Sequence, residues 1–186
     1  INQSIMNKNK RSKYSIGMLA AMLMVPLIPH TTAAQPEREE ALDAMHRAAK
    51  FMVEDVSYNG GYVWTYAADL SRQWGEAPAR KTQVWVQGGT LDMGNAFLDC
   101  WEATDDSYFL ECAKKAANAL IYGQHPLGGW HYFIDFDKPG LEKWYRDVCT
   151  NYKWGMEEYR HYYGNCTFDD DVTTGATRFL IRLYMA

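Results

Sequence analysis

The residues best suited to chemistry stand together near the end of the sequence, in Thr167-Phe168-Asp169-Asp170-Asp171-Val172. Three adjacent carboxylates precede a stretch whose apolar residues (Val172, Ala176, Phe179, Leu180, Leu183) fall at helical spacing. Two roles are open to such a run. A helix N-terminus carries unsatisfied N–H groups and a partial positive charge, so Thr167 or Asp169 can cap it while the remaining acids favour that end. A cap needs one acid, though, and three neighbouring carboxylates repel one another, which a hard, oxygen-seeking cation such as Ca2+ would relieve. The run lacks EF-hand spacing, so a calcium site here has to collect further ligands elsewhere, a substrate carboxylate among them. The two roles coexist if one acid closes the helix and Asp170 faces the metal with Asp169 and Asp171 beside it.

Other chemistries have little to stand on. The sequence contains no Gly-x-Ser-x-Gly elbow, phosphate-binding loop, dinucleotide fingerprint or His-Glu-x-x-His motif. It is instead rich in aromatic residues, with 13 Tyr, 7 Trp and 7 Phe, whose rings can stack on sugars or fill a helical core. His125, His131 and His161 have intrinsic pKa values suited to proton transfer, with no motif behind any of them. Arg178 and Arg182 can share a helix face, where Arg178 reads as an ion-pair partner before it reads as a base. A net charge of −4 and the lack of a basic stripe argue against a nucleic-acid partner. An acidic polymer can still be held through local Arg or Lys or a bridging cation.

The elements that must position these residues are mainly helices. Leu42, Met45, Ala49, Met52, Val53 and Val56 predict an amphipathic helix over 36–56, opened by Pro36 and acids and closed by Asn59-Gly60-Gly61. Tyr58, Tyr62, Trp64 and Tyr66 at alternate positions then predict a short extended segment. Further helices are expected over 90–104 and 106–124, the latter ending at Gly123 ahead of Gly128-Gly129-Trp130-His131-Tyr132-Phe133. Both Gly-Gly-aromatic turns follow an Ala-rich apolar helix, an internal echo that suggests repeated helical hairpins. The expected fold is therefore all-α, an α/α toroid-like set of hairpin repeats forming an incomplete toroid. The stretch 137–166, rich in Trp, Tyr and charge without a clean period, reads as a long loop or short helix over the surface.

Ahead of these elements, Lys8, Lys10, Arg11 and Lys13 followed by an apolar run from Ile16 to Ile28 and a small-residue end at Ala33-Ala34 read as a secretory signal starting at Met6. Pro26 and Pro29 interrupt that run and leave it short of a membrane span. Residues 1–34 are thus expected to be upstream residues and leader, and 35–186 one secreted or periplasmic domain without a stable membrane span. Cys100, Cys112, Cys149 and Cys166 contain no zinc-type spacing, and free buried thiols and one disulfide are both open.

Gly128 to Phe133 followed by Thr167-Phe-Asp-Asp-Asp-Val-Thr-Thr-Gly-Ala-Thr-Arg-Phe-Leu resembles the pectate lyases of polysaccharide lyase family ten, mainly over 113–183. His131 stands where that family usually has Pro, and Asp169 where it often has Asn. The resemblance implies a toroid-like helical fold, polygalacturonate as substrate and calcium-assisted β-elimination. In that chemistry the uronate carboxylate is neutralised, the C5 proton acidified, and an Arg takes it. Carried over, Asp170 is the first calcium ligand with Asp169 and Asp171 beside it, Trp130 is a sugar platform, and Tyr132 and Arg178 are substrate-binding. The resemblance also implies that the catalytic Arg lies downstream of Ala186 and that this chain is the N-terminal portion of a longer enzyme. The chain is expected to be a monomer. Two alternatives remain: a non-catalytic carbohydrate-binding protein, and a toroid glycoside hydrolase using Asp169 or Asp170 as acid or base.

Overall fold

The computed structural model describes residues 34–137 and 166–186. The expected leader, and the aromatic-rich segment with Cys149 and His161, lie outside the described residues. Among the described residues four α-helices dominate: α1 (Ala34–Phe51), α2 (Leu91–Thr104), α3 (Ser107–Gly123) and α4 (Val172–Met185). A wider turn, Met52–Val56, continues α1 to the Ser57 N–H, which donates to Met52 O at 2.9 Å. The expected helices over 36–56, 90–104 and 106–124 agree with these to within a residue or two at most ends.

The all-α expectation needs correction, because two small antiparallel sheets lie among the helices. One has the order β1 (Thr65–Tyr66), β2 (Gln73–Trp74), β3 (Pro78–Ala79); the other pairs β4 (Gln83–Trp85) with β5 (Phe133–Asp135). The reason is backbone satisfaction. After each Gly-Gly turn the chain runs extended through buried aromatics, where unpaired N–H and C=O groups would be costly. Val84 pairs with Ile134 and Trp85 with Phe133, while Trp85 N donates to Tyr62 O at 2.7 Å. Arg80 fixes the far end of this pair with a partly buried ion pair to the buried Asp135 at 2.9 Å.

Helices α2 and α3 form a hairpin around a tight aspartate turn. Asp105, in the left-handed region at φ 58°, ends α2. Asp106 then caps α3, accepting from Tyr108 N at 2.9 Å and taking His46 Nε2 of α1 at 2.8 Å. Ala113, Ala116, Ala117 and Ala119 make a small-residue surface on α3 that lets neighbours approach, and Phe109 and Leu120 fill what remains. Between α2 and α4 the contact is reciprocal. A Cβ at Gly94 would meet the Phe179 ring at 2.5 Å, and one at Gly175 would meet Leu91 Cδ1 at 2.8 Å. The two helices thus start side by side.

The same hydrogen-bond arrangement precedes both helices. Tyr62 N donates to Thr90 Oγ1 at 3.1 Å, and Tyr62 O receives Trp85 N. Trp130 N donates to Thr173 Oγ1 at 3.1 Å, and Trp130 O receives Thr167 N at 2.8 Å. Each aromatic is buried, each follows a glycine of positive φ (Gly60, 82°; Gly128, 96°), and each threonine lies at the start of a helix. Buried bonds of this kind contribute about 1 kcal/mol each, and leaving one unmade costs about 1–3.

Candidate functional site

The aspartate run forms a tight turn, Asp169–Asp171, directly ahead of α4. Thr167 Oγ1 accepts from Asp169 N at 3.1 Å, and Asp169 Oδ1 accepts from Asp170 N at 3.0 Å. These bonds order the turn and leave the helix N–H groups alone, so the expected cap by Thr167 or Asp169 is not made; Asp171 holds the cap position without a side-chain cap bond. Asp170 and Asp171 are successive left-handed residues, at φ 49° and 59°. Aspartate tolerates that region better than most side chains, yet each such residue still costs about 1 kcal/mol or more.

The three carboxylates diverge. Asp169 Oδ2 accepts from the Tyr132 hydroxyl at 2.8 Å, tying the turn to the segment after Gly128-Gly129. Asp171 is held from within α4, accepting from the Thr174 hydroxyl and from Arg178 Nη1 at 2.9 Å to both oxygens. Asp170 is exposed, and its carboxylate takes no hydrogen bond or ion pair among the described residues. The two motifs, distant in sequence, are thereby joined at Trp130–Thr173, Trp130–Thr167 and Tyr132–Asp169.

Burial sorts the remaining candidates. Tyr132 is buried beneath the turn; burial first, and then the bond to Asp169, push its phenol up to about 12, so it stays a neutral donor. Arg178 keeps an exposed guanidinium beside Asp171, within reach of a ligand anion. His131 is buried, which lowers its pKa to about 4 and leaves the ring neutral at ordinary pH. His125 accepts from Leu127 N at 3.1 Å through Nδ1, serving its own turn.

Trp130 requires a correction. It is 2 % exposed, and its indole N–H donates to Leu120 O at 2.8 Å, so it is a core residue and offers no face to a sugar. Trp130 follows Gly-Gly as Tyr62 does, and in the structure both side chains turn inward. Among the described residues, the most exposed indole is that of Trp64, 42 % exposed, with Trp74 and Trp101 partly covered.

A cation would find limited provision in the protein alone. Among the described residues no three His, Cys, Asp or Glu side chains converge into a metal-binding group. The oxygen chemistry of the turn suits Ca2+, but its uncommitted carboxylate is Asp170, with Asp169 shared with Tyr132 and Asp171 neutralised by Arg178. Cys100, Cys112 and Cys166 are free thiols, and burial raises the pKa of Cys100 and Cys112. No helix among the described residues is long and apolar enough to cross a membrane. Comparison with protein-family models, curated proteins and solved structures finds no match.

Proposed function

We propose that this chain carries the acidic-polysaccharide-binding corner of a secreted, pectate lyase-like protein, in which Ca2+ assists β-elimination on polygalacturonate. The observation that carries the reading is the aspartate turn itself. Helix α2 starts beside α4 with the same aromatic–threonine bonding and no carboxylate in the residues just ahead of it, so the scaffold does not require the three acids. An exposed carboxylate on a left-handed residue is a costly placement that a ligand would justify.

Asp170 and Asp169 would hold the cation together with the uronate carboxylate and water, and the bound cation supplies charge neutralisation that acidifies the C5 proton. The protein's own groups do the rest. Tyr132 stays protonated and orients Asp169. Arg178 holds Asp171 away from Asp170, limiting repulsion at the turn, and offers its exposed guanidinium to a second uronate. The paired arrangement of helices α2 and α4, each launched from a Gly-Gly-aromatic corner, supports the toroid-like hairpin repeat as the architecture of this reading.

A second reading is binding without catalysis. It is favoured by the commitment of Arg178 to both oxygens of Asp171, which makes it a positioning group and a poor base. One experiment separates the two. Polygalacturonate is incubated with the protein, with and without EDTA, while the ultraviolet absorbance of the unsaturated uronate product and the amount of bound polymer are followed. Calcium-dependent product supports the lyase; calcium-dependent retention without product supports binding alone. Neither product nor retention, at any pH or calcium level, overturns the proposal.

A further inference from the structure

The aspartate turn supplies carboxylates, but a polysaccharide chain also needs a surface for the apolar faces of its rings. Trp64 combines exposure with rigidity. Its Nε1–H donates to Gln87 O at 2.8 Å, its backbone N–H donates to Trp74 O at 3.1 Å, and its ring meets Trp85 edge-on at a centroid distance of 6.2 Å. Gly88 lies against it in the left-handed region at φ 70°, where a Cβ would come within 2.5 Å of Nε1. A side chain at this position would have to displace the indole.

With its one polar group satisfied internally, the exposed part of this indole has only ring surface to offer. Its place matters equally. Gln87 and Gly88 lie just ahead of α2, as Asp169–Asp171 lie just ahead of α4. The two helix starts adjoin at Gly175, whose Cβ position is 2.8 Å from Leu91 Cδ1 and 3.1 Å from Asp171 Oδ2. Trp64 and the acidic turn therefore belong to the same end of the molecule. A ligand that suits both has an apolar ring face together with hydroxyl or carboxylate groups, which describes a uronate pyranose.

We propose that Trp64, braced by Gln87 and Gly88, is the sugar-stacking platform of the acidic corner, binding a pyranose ring of the same uronate chain whose carboxylate is engaged at the aspartate turn. This inference rests on the reading of the site as an acidic-polysaccharide site and adds the residue that holds the ring. A pre-positioned aromatic loses little conformational freedom on binding, which is why fixing it through Gly88 is useful.

The test is isothermal titration of the whole chain with oligogalacturonate in the presence of calcium. Trp64→Ala should weaken binding about ten-fold or more, and Trp64→Phe, which keeps a ring but loses the bond to Gln87, should fall between. Gly88→Ala should weaken binding with the tryptophan still present, and Tyr184→Ala, at an aromatic 92 % exposed on the far end of α4, should leave it unchanged. Thermal melts identify any variant that loses its fold, and the Phe variant then carries the test. Wild-type affinity in folded Trp64→Ala or Trp64→Phe overturns the platform while leaving the proposed function standing. Failure of the wild-type chain to bind oligogalacturonate at all overturns both.

Discussion

The corner at Gly60-Gly61-Tyr62 and the corner at Gly128-Gly129-Trp130 are built alike and furnished differently. In each, a buried aromatic gives its N–H to a threonine at a helix start and its carbonyl to a returning strand or loop. Ahead of α2, however, stand Val86, Gln87, Gly88 and Gly89, with Asp92 the acid of the first turn; ahead of α4 stand Asp169, Asp170 and Asp171, two of them left-handed. The residue after the aromatic also changes, from buried Val63 to buried His131. Features present in both corners belong to the scaffold. Those confined to one corner, the aspartate turn of the second and exposed Trp64 of the first, are where a function would reside.

The shared aromatic gives the largest expected effect. Replacing Trp130 by Ala removes a fully buried indole together with its bond to Leu120 O, and should destabilise the fold by about 3–5 kcal/mol in a urea titration, with Tyr62→Ala costing a similar amount. A Trp130→Ala protein as stable as wild type but deficient in polymer binding would return this residue to the ligand and break the comparison at its centre.

The next effect is confined to one corner. Burial lowers the His131 pKa to about 4 from an ordinary value of 6.5. In that interval the unfolded chain binds the proton and the folded chain resists it. The contribution of neutral His131 is therefore complete above pH 6.5 and is lost as pH falls through 4, on the order of 3 kcal/mol. His131→Val, which installs the first corner's residue, should flatten the stability profile across that window. An unchanged acid limb would show that another group sets it.

The threonines test how closely the corners match. Thr173 accepts from Trp130 N and donates to Thr167 O at 2.6 Å, whereas Thr90 accepts from Tyr62 N and reaches Tyr62 O only at 3.5 Å. Thr173→Val should accordingly cost about 2–3 kcal/mol and Thr90→Val about 1–2, read from denaturant midpoints. The reverse order would mean that the second corner depends less on its peg than the geometry indicates.

The helices were legible because Leu42, Met45, Ala49 and Val56, or Phe109, Ala113, Ala117 and Leu120, repeat the period of a helix face often enough to stand out. The sheets were not, since strands as short as Gln83–Trp85 carry too few residues to establish alternation, and their pairing with Phe133–Asp135 is a long-range event. At the site, the type of residue was readable and its direction was not. Nothing local in Gly-Gly-Trp says that the indole turns inward to Leu120, and the importance of Trp64 depends on its meeting Gln87 and Gly88 across the fold. The divergence of the three carboxylates likewise follows from the left-handed backbone at Asp170 and Asp171, which the tolerance of aspartate for that region permits but does not demand.

Asp170 should show the smallest effect on stability, and for that reason it is the most informative about function. Its carboxylate is exposed and contributes little beyond a favourable charge near the start of α4, so Asp170→Ala should change stability by no more than about 1 kcal/mol. Asp170→Gly should be neutral or stabilising by about 0.5–1 kcal/mol, because glycine adopts φ 49° without the steric cost of a side chain. Both variants remove the same carboxylate. If that group holds a cation against a uronate, calcium-dependent retention of polygalacturonate should fall about ten-fold or more in both, while their melting temperatures move in opposite directions. If retention instead follows melting temperature, lost in the Ala variant and kept in the Gly variant, then the acid at this position serves the turn, and the difference between the two corners is one of backbone shape alone.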